Sequence, residues 1–209
     1  MDDRFLNEHL AQTTPFPFTI EVDRAEGSWI ISKDNKRYLD MISGLAVNNF
    51  GHQHPKILQS LREQMDKHLH VMVYGEFQQD IIAKAAKELV ALLPSPLDTV
   101  YFVNSGAEAI EAALKLAKRV TGRTKITSFR GSYHGSTHGA MSVSGNESKK
   151  RAFRPLLPNV SFLRHNSMED LEEITSNIAC VILETIQGDA GIRIPDRCFM
   201  QALRRKCTE

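Results

Sequence analysis

Apolar and polar residues follow two different periods along this chain, and both are clearest between residues 99 and 122. Residues 100–103 are all apolar, which predicts a strand that is buried on both faces, as in a parallel sheet. From residue 110 onward, apolar residues recur every three or four positions, which predicts an amphipathic helix. Ser105 and Glu108 have the spacing of a capping box at its start, and Gly122 suits the position just after its end.

The turn between this strand and this helix is a candidate anion site. Free backbone N–H groups and the positive end of the helix dipole both face residues 104–106, and a phosphate binds well in such a place. An ordinary strand–helix turn that is capped by its own Ser105 has the same local sequence. The pattern alone therefore leaves both interpretations open.

Weaker patterns predict the other elements, and together they define the fold class. The first part of the chain suggests a helix at 2–12, short strands at 19–22, 28–32 and 37–40, a loop at 41–55, and helices at 55–69 and 77–93. After the central helix, strands at 126–129, 160–163 and 178–183 alternate with helices at 168–175 and 199–207. We therefore predict an α/β fold, a mostly parallel sheet with helices on both faces, preceded by a small N-terminal α+β segment.

Composition and charge exclude several classes of function. The chain has 209 residues, 42% of them apolar, and a net charge of +1, so nothing favours a nucleic-acid partner. No apolar segment approaches the roughly 20 residues that span a bilayer. The N-terminus lacks the basic start and apolar core of a signal peptide, so we expect a cytoplasmic protein without a membrane partner.

Cysteine and histidine usage gives no sign of a metal or disulfide framework. The three cysteines match no zinc spacing and are too few for a framework of bridges, and Cys180 suits a small buried apolar position. His52 and His54 flank one residue, but no carboxylate or cysteine accompanies them at ligand spacing. We predict no metal, and loop histidines that bond to backbone groups.

The segments that follow the predicted strands carry the candidate chemistry, because ligands of parallel sheets bind at the carboxyl ends of strands. The segment 104–107 follows the first strand. The segment 130–145 is long and rich in glycine and serine, and it carries Tyr133 and His134, a composition typical of functional loops. The segment 184–196 begins with Glu184 and contains Gln187 and Asp189. A phosphate cradle, an aromatic loop and an acidic loop on one edge suit a flat phosphorylated ligand.

Several motifs, in this order and at this spacing, resemble the class III aminotransferases. They are SGLAV at 43–47, GHQHP at 51–55, NSGAEA at 104–109, YHG at 133–135 and ETIQG at 184–188. The family comprises pyridoxal-phosphate enzymes such as acetylornithine, ornithine, 4-aminobutyrate and ω-amino-acid aminotransferases. The resemblance runs from about residue 15 to the last residue. It implies the pyridoxal-phosphate fold type I, a homodimer, a small-domain segment at 1–54 and the first half of the large cofactor-binding domain at 55–209.

The resemblance also implies which residues bind the cofactor, pyridoxal 5'-phosphate. Backbone N–H groups of Ser105, Gly106 and Ala107 are implied to hold its phosphate, in agreement with the helix-start argument. The side chain of Tyr133 is implied to stack on the pyridine ring, His134 and Gly135 to line the pocket beside it, and Glu184 to support the ring from behind.

Two positions bear on the substrate, and they leave it open. Ser136 stands where related members often have an arginine that clamps a substrate carboxylate, so its loss weakens the case for those substrates. Asp189 stands where several members carry a glutamate that pairs with a mobile arginine, and aspartate is one methylene shorter. The resemblance thus implies transfer of an amino group from an acetylornithine-type or ω-amino-acid-type donor to a 2-oxo acid.

The resemblance places the remaining catalytic groups outside this chain. The aspartate that pairs with the ring nitrogen and the Schiff-base lysine are expected beyond Glu209, so we predict no catalytic residue within it. We expect an N-terminal half of an aminotransferase that is inactive by itself. The alternatives are a non-catalytic α/β module that binds a phosphate or nucleotide through the same turn, and a naturally truncated, regulatory or inert relative.

Overall fold

The computed structural model describes residues 9–72 and 75–209, which divide into two compact units between Lys84 and Ala85. The predicted helix at 2–12 lies largely outside the described residues. The predicted domain boundary between residues 54 and 55 stays a prediction. Within the described ranges, no helix combines the length and the apolar character that crossing a membrane requires.

A three-stranded antiparallel sheet forms the centre of the first unit. Its strands are β1 (Val22–Glu26), β2 (Trp29–Ser32) and β3 (Arg37–Leu39), in the order β1-β2-β3. The predicted strand at 19–22 is wrong in position. The tight turn at Gly27, with φ of 55°, pairs Glu26 with Trp29 and so moves the first strand towards the C-terminus.

The predicted loop at 41–55 contains one unusual turn, Ser43–Ala46, in which all four residues have positive φ of 52–63°. Non-glycine residues pay about 1–2 kcal/mol each in this left-handed region. The Asp40 carboxylate offsets part of that cost, because it accepts the backbone N–H groups of Ile42 and Ser43 at 3.1 and 2.7 Å. Alternation of polar and apolar residues does not encode such a turn.

Two helices follow this turn. Helix α1 (Pro55–Met65) begins at the proline, as predicted, because proline suits the first helical turn, and it ends four residues before the predicted residue 69. Helix α2 spans Asp80–Ala91, within the predicted range of 77–93.

A parallel sheet forms the centre of the second unit and confirms the predicted α/β class. Its strands are β4 (Lys125–Phe129), β5 (Val160–Leu163) and β6 (Ile178–Val181), in the order β5-β4-β6, all parallel. The three predicted strands at 126–129, 160–163 and 178–183 are therefore confirmed.

Helices cover both faces of this sheet, because successive side chains of β4 point to opposite sides. Ile126 packs with Leu114 of helix α3 (Gly106–Thr121) and with Val143 of helix α4 (His138–Val143). Phe129 packs instead with Phe199 of helix α5 (Arg197–Thr208), the two ring centroids lying 5.8 Å apart. The central strand thus joins two apolar clusters into one core.

Three predicted segments of the second unit differ from the structure. Residues 100–103, all described, form no strand, and Tyr101 and Phe102 are 67% and 50% exposed. A strand needs a hydrogen-bonded neighbour, and β6, the edge strand of the described sheet, pairs with β4 alone. The predicted loop at 130–145 contains α4, and the predicted helix at 168–175 is a shorter 3-10 helix, Glu169–Glu173. A single helical turn at Glu147–Lys150 also follows the loop.

Candidate functional site

Helix α3 begins with the capping box that the sequence predicts. Ser105 has extended backbone angles, and its Oγ accepts the N–H of Glu108 at 3.2 Å. The Glu108 carboxylate in turn accepts the N–H of Asn104 at 2.7 Å. Gly122 follows the last helical residue with a left-handed φ of 68°, also as predicted. Residues within the helix or next to it therefore fix both of its ends.

The cap leaves the first two amides of α3 available to a ligand. In the part of the chain that the structure describes, no acceptor takes the N–H of Gly106 or of Ala107. A Cβ placed on Gly106 would meet no atom of the described residues within 4 Å, so no neighbouring group crowds this residue. Two free donors at the positive end of a 16-residue helix are the feature that favours an anion, as the sequence predicts.

The loop that carries Tyr133 lies directly against this helix start. Gly135 has φ of +128°, and a Cβ placed on it would lie 2.7 Å from the Cβ of Ala107. Only glycine fits this contact, both because of the close approach and because of the backbone angle. Gly135 therefore brings the aromatic loop to the predicted phosphate-binding turn.

Glu184 connects the third predicted segment to the second. Its carboxylate accepts the backbone N–H of Tyr133 at 2.9 Å and that of Gly188 at 3.4 Å. The Tyr133 hydroxyl lies 3.2 Å from Ser136 Oγ, and the tyrosine is 47% exposed. The structure thus brings together the segments that follow three different predicted strands, and Glu184 holds the backbone of the residue whose aromatic ring is accessible.

The side chain of His134 lies beneath this loop. The residue is 7% exposed, its Nε2 lies 3.4 Å from Ser128 Oγ, and its backbone N–H donates to Ser144 Oγ at 3.0 Å. Burial lowers the pKa of the imidazole below 6.5, against a smaller opposite effect of the Glu184 charge. The ring is therefore predominantly neutral at pH 7, and its predicted place in the cofactor pocket stays a prediction.

Asp189 has a cationic partner that sequence reasoning missed. Lys149 Nζ lies 2.7 Å from both carboxylate oxygens of Asp189 and 5.9 Å from the centroid of the Tyr133 ring. The two residues are 40 positions apart, so no local signal pairs them. An ammonium group therefore lies beside the ring of Tyr133.

The prediction that His52 bonds to backbone groups is wrong for its ring. His52 Nε2 lies 2.7 Å from the Asp40 carboxylate, whose pKa is lowered chiefly by the Ser43 N–H and then by His52. The backbone of His52 pairs with Gly27. In the described ranges, no cluster of three or more His, Cys, Asp or Glu side chains could hold a metal ion.

Comparison with known proteins assigns the family. The family model described as "Aminotransferase class-III" matches residues 11–209, and this chain belongs to that family. The class III aminotransferases depend on pyridoxal phosphate and have fold type I, so the predicted family and fold are confirmed.

Particular relatives and structures refine this likeness. The chain is 35% identical to acetylornithine aminotransferase of Methanopyrus kandleri, covering 100% of this chain and 54% of that protein. It is 37% identical to acetylornithine aminotransferase of Bacillus amyloliquefaciens, covering 91% of this chain and 82% of that sequence. A solved structure, adenosylmethionine-8-amino-7-oxononanoate aminotransferase of Methanocaldococcus jannaschii, superposes with a TM-score of 0.89 at 31% identity, over 99% of this chain and 52% of that one.

One of the similar solved structures contains both a cofactor and an amino acid. It is taurine:2-oxoglutarate aminotransferase from Bifidobacterium kashiwanohense, in complex with PLP and glutamate, with a TM-score of 0.83 at 27% identity over 96% of this chain and 51% of that one. The chain spans about half the length of most curated relatives that it matches.

Proposed function

We propose that this chain supplies the phosphate- and ring-binding half of the site of a pyridoxal-phosphate-dependent aminotransferase. The enzyme moves an amino group from an ω-amino acid or amine to a 2-oxo acid, as a cytoplasmic homodimer. One observation carries the proposal: the free amides of Gly106 and Ala107 lie against the Gly135 loop that presents Tyr133.

The residues present fit this cofactor in both charge and shape. The amides of Gly106 and Ala107 and the helix dipole favour a phosphate dianion, and a Cβ on Gly106 would meet no atom of the described residues within 4 Å. The half-exposed ring of Tyr133 offers a flat face for an aromatic ring. Glu184 holds the backbone that carries this ring, because its carboxylate accepts the N–H of Tyr133. When bound, pyridoxal phosphate supplies a carbonyl that reacts with amines and a conjugated ring that accepts electrons.

The substrate end of the site includes Ser136 and Asp189. Ser136 contacts the Tyr133 hydroxyl and offers a small polar group rather than a bidentate arginine clamp. The Asp189 carboxylate is paired with Lys149, which can release it or contact a substrate carboxylate in its place. Relatives that are named acetylornithine aminotransferase support an acetylornithine-type donor, and the absent clamp supports a wider range of ω-amino donors.

The direct test is a donor panel with the full-length protein. The protein is titrated with pyridoxal phosphate and then given N-acetylornithine, ornithine, 4-aminobutyrate or a simple amine with 2-oxoglutarate, and glutamate is measured. We expect one donor class to exceed the others by at least about tenfold in kcat/KM, which corresponds to about 1.4 kcal/mol. Tight binding of a nucleotide without binding of pyridoxal phosphate would instead support a non-catalytic phosphate-binding module and contradict the proposal.

A further inference from the structure

Glu111 ties the loop that carries Tyr133 to the phosphate-binding helix. Its Oε1 accepts three hydrogen bonds from the loop: from Thr137 Oγ1 at 2.5 Å, from the Gly139 N–H at 2.9 Å and from the Ala140 N–H at 3.1 Å. A carboxylate is a strong acceptor for such converging donors. Glu111 lies 26 to 29 positions before them in the sequence, so this is a tertiary contact.

The position of Glu111 on α3 explains why it reaches this loop. Ala107, Glu111 and Leu114 are spaced by four and three residues, so they share one face of the helix. Ala107 meets Gly135, and Leu114 belongs to the same apolar cluster as Val143. The first half of this face of α3 therefore packs against the segment 135–143, with Glu111 between Ala107 and Leu114.

Helix α4 depends on Glu111 for its start. The residue at its N-cap position, Thr137, makes no capping hydrogen bond with its side chain. Glu111 takes the place of that cap, since its carboxylate binds the first amides of the helix. Gly139 permits the close approach, because a Cβ there would lie 2.1 Å from Glu111 Oε2.

We propose that Glu111 is a positioning residue that sets the distance between the phosphate-binding amides and the ring of Tyr133. The inference rests on the proposed function. A phosphorylated aromatic ligand must satisfy Gly106 and Ala107 and also stack on Tyr133, so it binds well only where the two parts keep a fixed separation. Glu111 holds that separation from outside the ligand contacts, through residues 137–140 of the loop that carries Tyr133.

The test compares Glu111→Ala, Glu111→Gln and a matched control, Glu173→Ala, in the full-length protein. Glu173 is an exposed glutamate of the same unit, on the 3-10 helix. Hydrogen exchange is followed in peptides that cover 137–143 and in peptides that cover β4. The dissociation constant for pyridoxal phosphate is measured by fluorescence.

We expect Glu111→Ala to speed exchange in 137–143 by at least about tenfold, because the amides of Gly139 and Ala140 lose their acceptor, with β4 unchanged. We expect about a tenfold weaker binding of pyridoxal phosphate. Glu111→Gln keeps a neutral Oε1 acceptor and should stay within about threefold of wild type in both measurements. Glu173→Ala should match wild type.

Two outcomes would overturn the inference. The first is unchanged exchange in 137–143 in Glu111→Ala. The second is equal acceleration in 137–143 and β4 without recovery in Glu111→Gln, which would show a general stability effect. Failure of the proposed function is distinguishable, because then the wild-type protein itself would not bind pyridoxal phosphate, whatever the exchange rates of the variants.

Discussion

Helix α3 begins against the loop that carries Tyr133 and helix α4 begins within that loop, but the amides at their starts have different partners. At α3, Ser105 accepts the N–H of Glu108, and Glu108 accepts that of Asn104. Among the described residues, no acceptor takes the N–H groups of Gly106 and Ala107. At α4, the carboxylate of Glu111 occupies the corresponding place and accepts two backbone N–H groups. The start of α3 is therefore available to an external anion, whereas the start of α4 already binds the carboxylate of Glu111.

This difference shows that a helix start stays available to a ligand only where no side-chain carboxylate of the protein binds its amides. Both starts favour negative charge for the same reason, because their first amides and dipoles point outward. The chain fills the α4 site with Glu111 and thereby fixes the loop of Tyr133. It leaves the amides at the start of α3 without such a partner. Under the proposed function, a phosphate binds them as the Glu111 carboxylate binds the amides of α4.

The largest expected effect comes from filling the open start with a carboxylate. Gly106→Asp places a negative charge where the phosphate binds, so affinity for pyridoxal phosphate should fall by about 100-fold or more, since like charges in a site cost several kcal/mol. Thermal stability should stay equal or rise slightly, because an aspartate suits the first helical turn. Fluorescence titration and calorimetry of the full-length protein measure both quantities.

Gly106→Ala is the matched control for this change. A Cβ at this position meets no atom within 4 Å, so affinity should remain within about threefold of wild type. Equal affinity of Gly106→Asp and wild type would show that the phosphate binds elsewhere.

A smaller effect is expected from displacing the built-in anion at the closed start. In Gly139→Ala the new Cβ would lie 2.1 Å from Glu111 Oε2, so the carboxylate must rotate away from its donors. Leaving those buried donors without an acceptor should lower the free energy of unfolding by about 1–3 kcal/mol. Urea denaturation checks this value.

Gly188→Ala serves as the control for Gly139→Ala. A Cβ at Gly188 meets no atom within 4 Å, so the same substitution should change the free energy of unfolding by less than about 0.5 kcal/mol. A Gly139→Ala protein as stable as this control would mean that Glu111 contributes little to the start of α4.

The smallest expected effect concerns pH and the segment between the two starts. Burial lowers the pKa of His134 below its ordinary 6.5, so the unfolded chain binds the proton more readily than the folded one. The stability contribution is therefore complete above pH 6.5 and decreases as the pH falls towards the folded-state pKa. Urea denaturation between pH 7.5 and 5 should show a smaller decrease in His134→Gln than in wild type, and identical profiles would contradict this account.

The two helices also differ in how well their bounds could be predicted from the sequence. The bounds of α3 follow from Ser105, Glu108 and Gly122, which all lie within or next to the helix, so its prediction is confirmed. Helix α4 lay within a predicted loop because its cap comes from Glu111, more than 25 positions earlier. A local pattern cannot show such a partner.

Non-local pairing explains the other differences. Residues 100–103 have the apolar run of a buried strand, but strand formation depends on a neighbour that the run itself does not specify. The contact between Lys149 and Asp189 joins residues that are 40 positions apart, so no local pattern shows it. By contrast, Tyr133 and Glu184 were singled out correctly as neighbours, because both follow parallel strands and such strand ends meet at one edge.

The most direct measurement of the central claim is a crystal structure of the full-length protein with pyridoxal phosphate bound. The account predicts phosphate oxygens within about 3 Å of the backbone nitrogens of Gly106 and Ala107, with the pyridine ring against the face of Tyr133. A cofactor whose phosphate lies away from those two amides, or whose ring does not contact Tyr133, would contradict it.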